Sequence, residues 1–363
     1  MTLVDLFCGA GGLSLGLRTA GFDAVYAADW DRWACETYRN NLGEHVHQVD
    51  LASAKPAAYA AEILEEAGAS SIDLVAGGPP CQGFSVQRRG APDDPRNGLA
   101  TQFARIAVAL RPRAIMMENV PTILGARGKT HLEKVYQVFR RAGYTPNAKV
   151  MEAAEYGVPQ MRRRAFVVAL RNDLDAGFLF PEPLRSSEEF ATVRDAIGDL
   201  PEPPVDFSEH PDFPNHRRVK TSEINLRRLS HVPEGGGRLD IPEELQLPCH
   251  RNDNGHRHLD VYGRLWWNRP SGTITAMFDN FTRGRFAHPS QNRSITGREG
   301  ARLQSFPDSY VFAGPKKDVA RQIGNAVAPR VAEVMGICLA GSLRGEIPGS
   351  EELRQGFLPM FPQ

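Results

Sequence analysis

The sequence predicts a doubly wound, mostly parallel α/β sheet domain carrying a smaller, loop-rich inserted domain. Three observations lead there. In the first half, short apolar runs alternate with segments of helical spacing, the pattern of a parallel sheet covered by helices on both faces. That alternation stops after Leu170, and seven prolines between Pro181 and Pro214 exclude regular helix and central strand there. Helical spacing then returns near Asp318–Leu343.

Leu3–Phe7, Ala24–Ala28, Ile72–Ala76, Ala114–Glu118 and Ala165–Leu170 are short apolar runs bounded by turn or polar residues, and they read as buried strands. Trp33–Asn41, Ala57–Ala67, Leu99–Leu110 and His131–Ala142 carry helical spacing between them. Residues 215–290 are rich in Arg, Gly, Asn and His, with Trp266 beside Trp267. The expected boundaries are 1–180 plus 310–345 for the sheet domain and 181–309 for the inserted domain. An irregular tail at 346–363 is a candidate for mobility.

Lys and Arg total 43 against 43 Asp and Glu, and 41% of residues are hydrophobic, which excludes a mostly disordered chain. No run approaches the ~18 apolar residues of a membrane helix. No basic region precedes the first strand, so no secretory signal is expected. Five scattered cysteines without a CxxC fit reduced thiols in a cytoplasm. The neutral total hides a division: residues 217–298 hold 14 Lys and Arg against 8 Asp and Glu, enough to follow a phosphate backbone.

In open α/β sheets, ligands bind beyond the carboxyl ends of the strands. The first strand runs into Asp5-Leu6-Phe7-Cys8-Gly9-Ala10-Gly11-Gly12, where glycines let the backbone approach a ligand closely. Asp29, at the end of the second strand, is placed to bind ribose hydroxyls, and Trp30 to cover an adenine ring. The spacing departs from GxGxxG, and by itself it fits NAD, FAD, S-adenosylmethionine or a plain tight turn.

The strand at 72–76 leads into Gly77-Gly78-Pro79-Pro80-Cys81-Gln82-Gly83-Phe84-Ser85. A thiol after two prolines at a strand's carboxyl end faces the ligand cleft. Residues 82–98 have no apolar face to bury, so a nucleophilic Cys81 on a loop able to close over substrate fits better than a core cysteine. Glu118 ends the next strand, where partial burial would raise its pKa and suit it to proton donation. In Gln160-Met161-Arg162-Arg163-Arg164, period-two alternation would put Arg162 and Arg164 on one face.

These segments resemble the bacterial-type cytosine-C5 DNA methyltransferases. DLFCGAGGLSLG, GGPPCQGFS, MENV, QMRRR, RSITGREGARLQSFPD and QIGNAVAP occur in that family's order and at its usual spacing. The resemblance covers 1–170 and 287–340. It implies a Rossmann-like S-adenosylmethionine-dependent methyltransferase fold whose inserted domain recognises the target. It further implies that Cys81 adds to C6 of a flipped-out cytosine while Glu118 hydrogen-bonds or protonates N3. Arg164, with Arg162 on the same face, would hold the exocyclic oxygen. The activated C5 then takes the sulfonium methyl, and loss of its proton expels Cys81. The implied cofactor set is Phe7, Gly9, Gly11, Gly12, Asp29, Trp30, Asp50, Leu51, Pro79, Asn325 and Val327. Pro79 and Asn119 also shape the base pocket.

The resemblance makes duplex DNA the substrate. Its candidate contacts are Gln82, Ser85, Arg88, Arg89 and Arg96 on the cysteine loop, and Arg238, Arg251, Arg257, Arg283 and Arg285 in the inserted domain, most of them for phosphate rather than bases. No metal is expected: Cys249, His250, His256 and His258 lack a CxxC or HxxxH half-site. The expected location is a bacterial cytoplasm, at the nucleoid while acting, with no membrane partner and a monomer favoured. A cognate restriction or defence system is a candidate partner. A tRNA-directed relative shares the core motifs, but the basic insertion and the lack of a Cys-Phe-Thr segment argue against it. A DNA-binding regulator without catalysis conflicts with the intact Cys81, Glu118 and Arg164 set.

Overall fold

A computed structural model describes residues 1–80, 98–174, 177–248, 259–346 and Leu353. They divide into two compact units. The first comprises Met1–Tyr156, Arg163–Leu184 and Ala326–Leu358, and the second Gly157–Arg162 and Arg185–Asn325.

The first unit is a seven-stranded sheet built from β1 (Thr2–Leu6), β2 (Asp23–Asp29), β3 (Val46–Gln48), β4 (Leu74–Gly77), β5 (Ala114–Asn119), β6 (Tyr144–Glu152) and β7 (Arg163–Arg171). Its order is β3-β2-β1-β4-β5-β7-β6. Neighbours from β3 to β5 pair in parallel, whereas β7 runs antiparallel to both β5 and β6. The chain steps outward from β1 to β3, then crosses to β4 and continues the other way. That reversal between β1 and β4 is the switch point where such sheets bind ligands.

Helices α1 (Gly12–Thr19), α2 (Arg32–Leu42), α3 (Pro56–Glu66), α4 (Leu99–Ala109), α5 (Lys129–Arg141) and α10 (Pro329–Arg344) belong to this unit. Asp31 caps α2 by accepting from Ala34 N, and Pro56 and Pro329 open α3 and α10, where a missing N–H costs nothing. One core face packs Val4, Leu6, Val75, Ile115 and Met117 against Phe103, Ile106 and Phe139. Helix α1 lies so close to α10 that a Cβ on Gly16 would fall 2.1 Å from Pro329 O.

The second unit has short helices: α6 (Val193–Ile197), α7 (Glu223–Leu229), α8 (Gly297–Leu303) and α9 (Lys316–Asn325). With so little regular structure, buried arginines satisfy its loop carbonyls. Arg264 donates to Val232 O, His288 O, Gln291 O, Leu229 O and Asn292 Oδ1. Arg298 bonds Pro214 O, Pro307 O and Tyr310 O. Thr296 and Glu299 form a capping box at the start of α8, and Arg293 grips Glu299 with two bonds of 2.7 Å. Burial alone would raise the Glu299 carboxyl, but Arg293 holds it at about 2. Burial pushes neighbouring His288 down to about 4.

Two differences from the sequence reading concern boundaries. Gly157–Arg162 and residues 310–325 fall in the second unit, so the chain returns to the first unit at Ala326 rather than near 310. Segment 157–162 is bound there by its backbone, Met161 N donating to Ser271 O, and by Gln160, which reaches Leu303 O and Gln304 Oε1. Against the expectation that no such run exists, Lys316–Arg344 is apolar and long enough to cross a membrane, but 78% of its apolar window is buried. It is broken between Asn325 and Pro329. Of the expected tail, only Glu346 and Leu353 are among the described residues.

Candidate active site

Strands β4 and β5 end side by side, Gly77 pairing with Met117, so Gly78–Pro80 and Glu118–Asn119 emerge at one edge. Asn119 Nδ2 donates to Pro79 O at 3.0 Å, and Asn119 Oδ1 accepts from Val120 N. A Cβ built on Gly78 would lie 3.4 Å from Glu118 Oε2. The double-proline segment is thereby pinned beside the acid. Cys81, the next residue, lies outside the described residues, as do Gln82, Ser85, Arg88, Arg89 and Arg96.

Strand β7 contributes Arg164, whose Nε lies 2.9 Å from Glu118 Oε1, with both side chains largely buried. An arginine and a carboxylate in contact at a sheet edge can bind a polar ring with complementary donors and acceptors. Arg162 does not join them. It precedes the strand, is 2% exposed, and donates to Ile274 O and Gly324 O within the second unit. Its expected catalytic place is corrected to a structural one, because those donors are spent on backbone carbonyls.

Eight of the cofactor candidates lie at or just after the ends of β1 to β3, and Pro79 follows β4. Phe7, Gly9 and Gly11 take left-handed φ values of 59°, 54° and 83°, folding the chain into a tight loop before α1. Only glycine adopts this conformation without strain, so Phe7 is a strained residue, of the kind that concentrates at ligand sites. A Cβ on Gly9 would meet nothing within 4 Å, so its backbone faces open space. Gly12 is the first residue of α1. Asp29 accepts from Gly9 N and Asp31 N, each at 2.9 Å, tying the loop to β2, and burial raises its carboxyl pKa.

Trp30 is 70% exposed, an uncovered ring beside that loop. Asp50 accepts from Ala52 N. Leu51 is buried in the core, which leaves its backbone rather than its side chain to meet a ligand. Asn325 and Val327 fall on opposite sides of the division between the units. Sequence reasoning passed over Asp5, which is fully buried. Its Oδ1 has no hydrogen-bond partner among the described residues. The available signal was a carboxylate inside the apolar run Leu3–Phe7. Two buried carboxylates, an open glycine loop and an exposed indole fit a ligand that is cationic at one end and aromatic at the other, as S-adenosylmethionine is.

Two of the expected DNA contacts are corrected. Arg285 donates to Gly235 O, Gly236 O and Arg264 O and pairs with Asp260, and it stacks on Trp266 at 4.3 Å. Arg238 is only 8% exposed. Arg285 is bonded into the fold and Arg238 is buried, which leaves neither guanidinium exposed to a duplex. Arg283 is exposed, while Arg251 and Arg257 lie outside the described residues, as do Cys249, His250, His256 and His258. Among the described residues no cluster of three or more metal-ligating side chains occurs.

Residues 1–338 match the family model for C-5 cytosine-specific DNA methylase. The chain is 38% identical over 341 residues to the Type II methyltransferase M1.HphI of Haemophilus parahaemolyticus, covering 92% of this chain and 85% of that one. It is 34% identical over 366 residues to the Type II methyltransferase M.NgoFVII of Neisseria gonorrhoeae, covering 99% and 87%. A crystal structure described as a DNA modification methyltransferase encoded within an E. coli prophage superposes with a TM-score of 0.69 at 27% identity, covering 95% of this chain and 99% of that one. The S. pombe Dnmt2 methyltransferase shares the fold, with a TM-score of 0.57 at 19% identity over 94% and 98% of the two chains.

Proposed function

The chain belongs to the C-5 cytosine-specific DNA methylase family, and on that premise we propose that it methylates C5 of a flipped-out cytosine at a specific duplex DNA site through a covalent Cys81–C6 intermediate. The observation that carries this reading is the Glu118–Arg164 pair beside the pinned Gly78–Pro80 segment. S-adenosylmethionine, held by the loop Phe7–Gly12 together with Asp29 and Trp30, supplies the methyl group as an electrophile.

Cytosine C5 is a weak nucleophile, and addition of a thiolate at C6 activates it. A proline pair anchored by Asn119 limits the conformations open to the next residue, Cys81, and so reduces the entropy lost in reaching C6. Negative charge moves toward N3 and the exocyclic oxygen as the thiolate adds. Arg164 stabilises that charge at the oxygen. Glu118, paired with Arg164 at the same edge, hydrogen-bonds or protonates N3 as that charge develops. When the C5 proton departs, the ring electrons return and expel Cys81. The base must leave the stack for any of this to occur, because C6 is inaccessible within a duplex.

Restriction-modification, defence or epigenetic marking is the proposed role, with the second unit reading sequence. Incubation with labelled S-adenosylmethionine and either duplex DNA or tRNA tests the proposal. Label on DNA cytosine supports it, and label on tRNA alone contradicts it.

A further inference from the structure

Asp5 ends a row of hydrogen-bonded side chains. Its Oδ2 lies 2.6 Å from Ser14 Oγ. Ser14 Oγ is 2.9 Å from Tyr38 OH, which in turn is 3.2 Å from His45 Nε2. Asp5, Ser14 and Tyr38 are buried, and of the four only His45 reaches solvent. The row therefore leads from a sealed carboxyl behind the glycine loop to the surface of the first unit.

Each hydroxyl carries one hydrogen, so the row has two self-consistent states. With Asp5 ionised, Ser14 donates to Asp5, Tyr38 donates to Ser14, and His45 Nε2–H donates to Tyr38. With Asp5 protonated at Oδ2, all three bonds reverse, and Nε2 accepts. Passing between the states moves one proton between Asp5 and His45 while every bond survives.

The surroundings make the ionised state costly without a cation. Asp29 on β2 and Cys8 on the loop interact electrostatically with Asp5, and Cys35 on α2 acts on Cys8; none of the three is positive. Strand β4, its neighbour in the sheet, presents no titratable residue. Helix α10, packed on α1, carries Cys338, the mutually paired Arg330 and Glu333, and Arg344 paired with Glu346. Asp23, His47 and Arg18 act on the His45 end. Burial pushes the Asp5 carboxyl up to about 7, and Asp29 adds to that rise while Ser14 opposes it.

We propose that Asp5, Ser14, Tyr38 and His45 form a proton outlet that couples arrival of the positively charged cofactor to ionisation of Asp5. The inference rests on the reading that this loop takes S-adenosylmethionine. That molecule carries a sulfonium and an ammonium against one carboxylate, for a net charge of plus one. As it enters, Oδ2 gives its proton to Ser14, Ser14 gives its own to Tyr38, and Tyr38 gives its own to His45, which releases one proton to water. One positive charge leaves as one arrives. After methyl transfer the sulfur is neutral, so Asp5 takes a proton back and the demethylated product loses the electrostatic attraction that held its precursor. Asp5 is thus a positioning residue that distinguishes cofactor from product by charge.

Calorimetric titration of the full chain with S-adenosylmethionine and with S-adenosylhomocysteine, in buffers of differing ionisation enthalpy, counts the protons released. For S-adenosylmethionine about one proton should leave at pH 6, falling toward zero by pH 8, with affinity dropping roughly tenfold per pH unit below about 7. S-adenosylhomocysteine should release close to none. Asp5→Asn should abolish both the release and the pH dependence. Ser14→Ala, which removes the donor to the carboxyl, should shift the release window to higher pH, and Tyr38→Phe should slow release followed with a pH indicator. Equal release with both ligands, or release that persists in Asp5→Asn, overturns the outlet. Failure to bind either ligand overturns the cofactor reading itself.

Discussion

Glu118 Oε1 and Arg164 Nε stand 2.9 Å apart where β5 and β7 run antiparallel, and the same glutamate lies against Gly78. The antiparallel strand is what makes this contact. It returns Arg164 to the edge where the parallel strands end, beside the Gly78–Pro80 segment that precedes Cys81 in sequence.

Glu118→Gln should therefore keep the fold and DNA affinity while losing proton transfer to N3. Single-turnover methylation is expected to slow by about 10²–10⁴-fold, the usual contribution of a general acid. A kcat within twofold of the parent protein would remove Glu118 from the chemistry.

Asn119→Ala deletes the donor to Pro79 O and frees the segment before Cys81. Stability should fall by about 1–3 kcal/mol, the cost of leaving a buried carbonyl unpaired, and kcat should fall further than that loss alone explains. Denaturant unfolding and methylation rates on the same sample separate the two effects.

Arg283 and Arg285, two residues apart, should behave differently. Arg283→Ala should weaken DNA binding and lower the slope of log K against log salt by about one if it contacts a phosphate. Arg285→Ala should instead destabilise the second unit, since it removes three bonds to carbonyls and the stack on Trp266. Thermal melts beside binding isotherms at two salt concentrations check the division. A stable Arg285→Ala protein with weakened DNA binding would reverse the assignment.

Strands β1, β2, β4, β5 and β7 were legible because each is an apolar run of several residues, and the motif residues followed from their carboxyl ends. Strand β3 was not, because Val46–Gln48 is three residues long with only Val46 buried. Strand β6 was hidden by exposed polar residues and by Pro146, which an edge strand tolerates. Arg162 and Arg285 escaped the sequence for one reason: whether a guanidinium serves carbonyls or solvent depends on loops distant in sequence. Residues 310–325 cluster with the second unit, a placement not legible in the sequence because helical spacing does not say against which unit a helix packs.

The second unit should be sensitive to acid. His288 titrates near 4 in the fold against 6.5 unfolded, and Glu299 near 2 against 4.5. For both groups the unfolded chain binds the proton first. Their stability is fully present above about pH 6.5 and is lost as pH falls, first through the histidine window and then the glutamate window. Glu299→Gln should cost about 3–5 kcal/mol by leaving Arg293 buried without its partner. Urea midpoints measured from pH 7 to pH 3 follow both effects, and a midpoint independent of pH would contradict them.

Covalent catalysis by Cys81 is open to direct test by trapping. Duplex DNA containing the target site with 5-fluorocytosine is incubated with the protein and S-adenosylmethionine, denatured, and mapped by peptide mass spectrometry. Fluorine cannot leave as the C5 proton does, so a denaturation-resistant adduct should form on Cys81 and be absent from Cys81→Ser. Methylation of ordinary DNA by Cys81→Ser at the parent rate, or an adduct on a different cysteine, would contradict it.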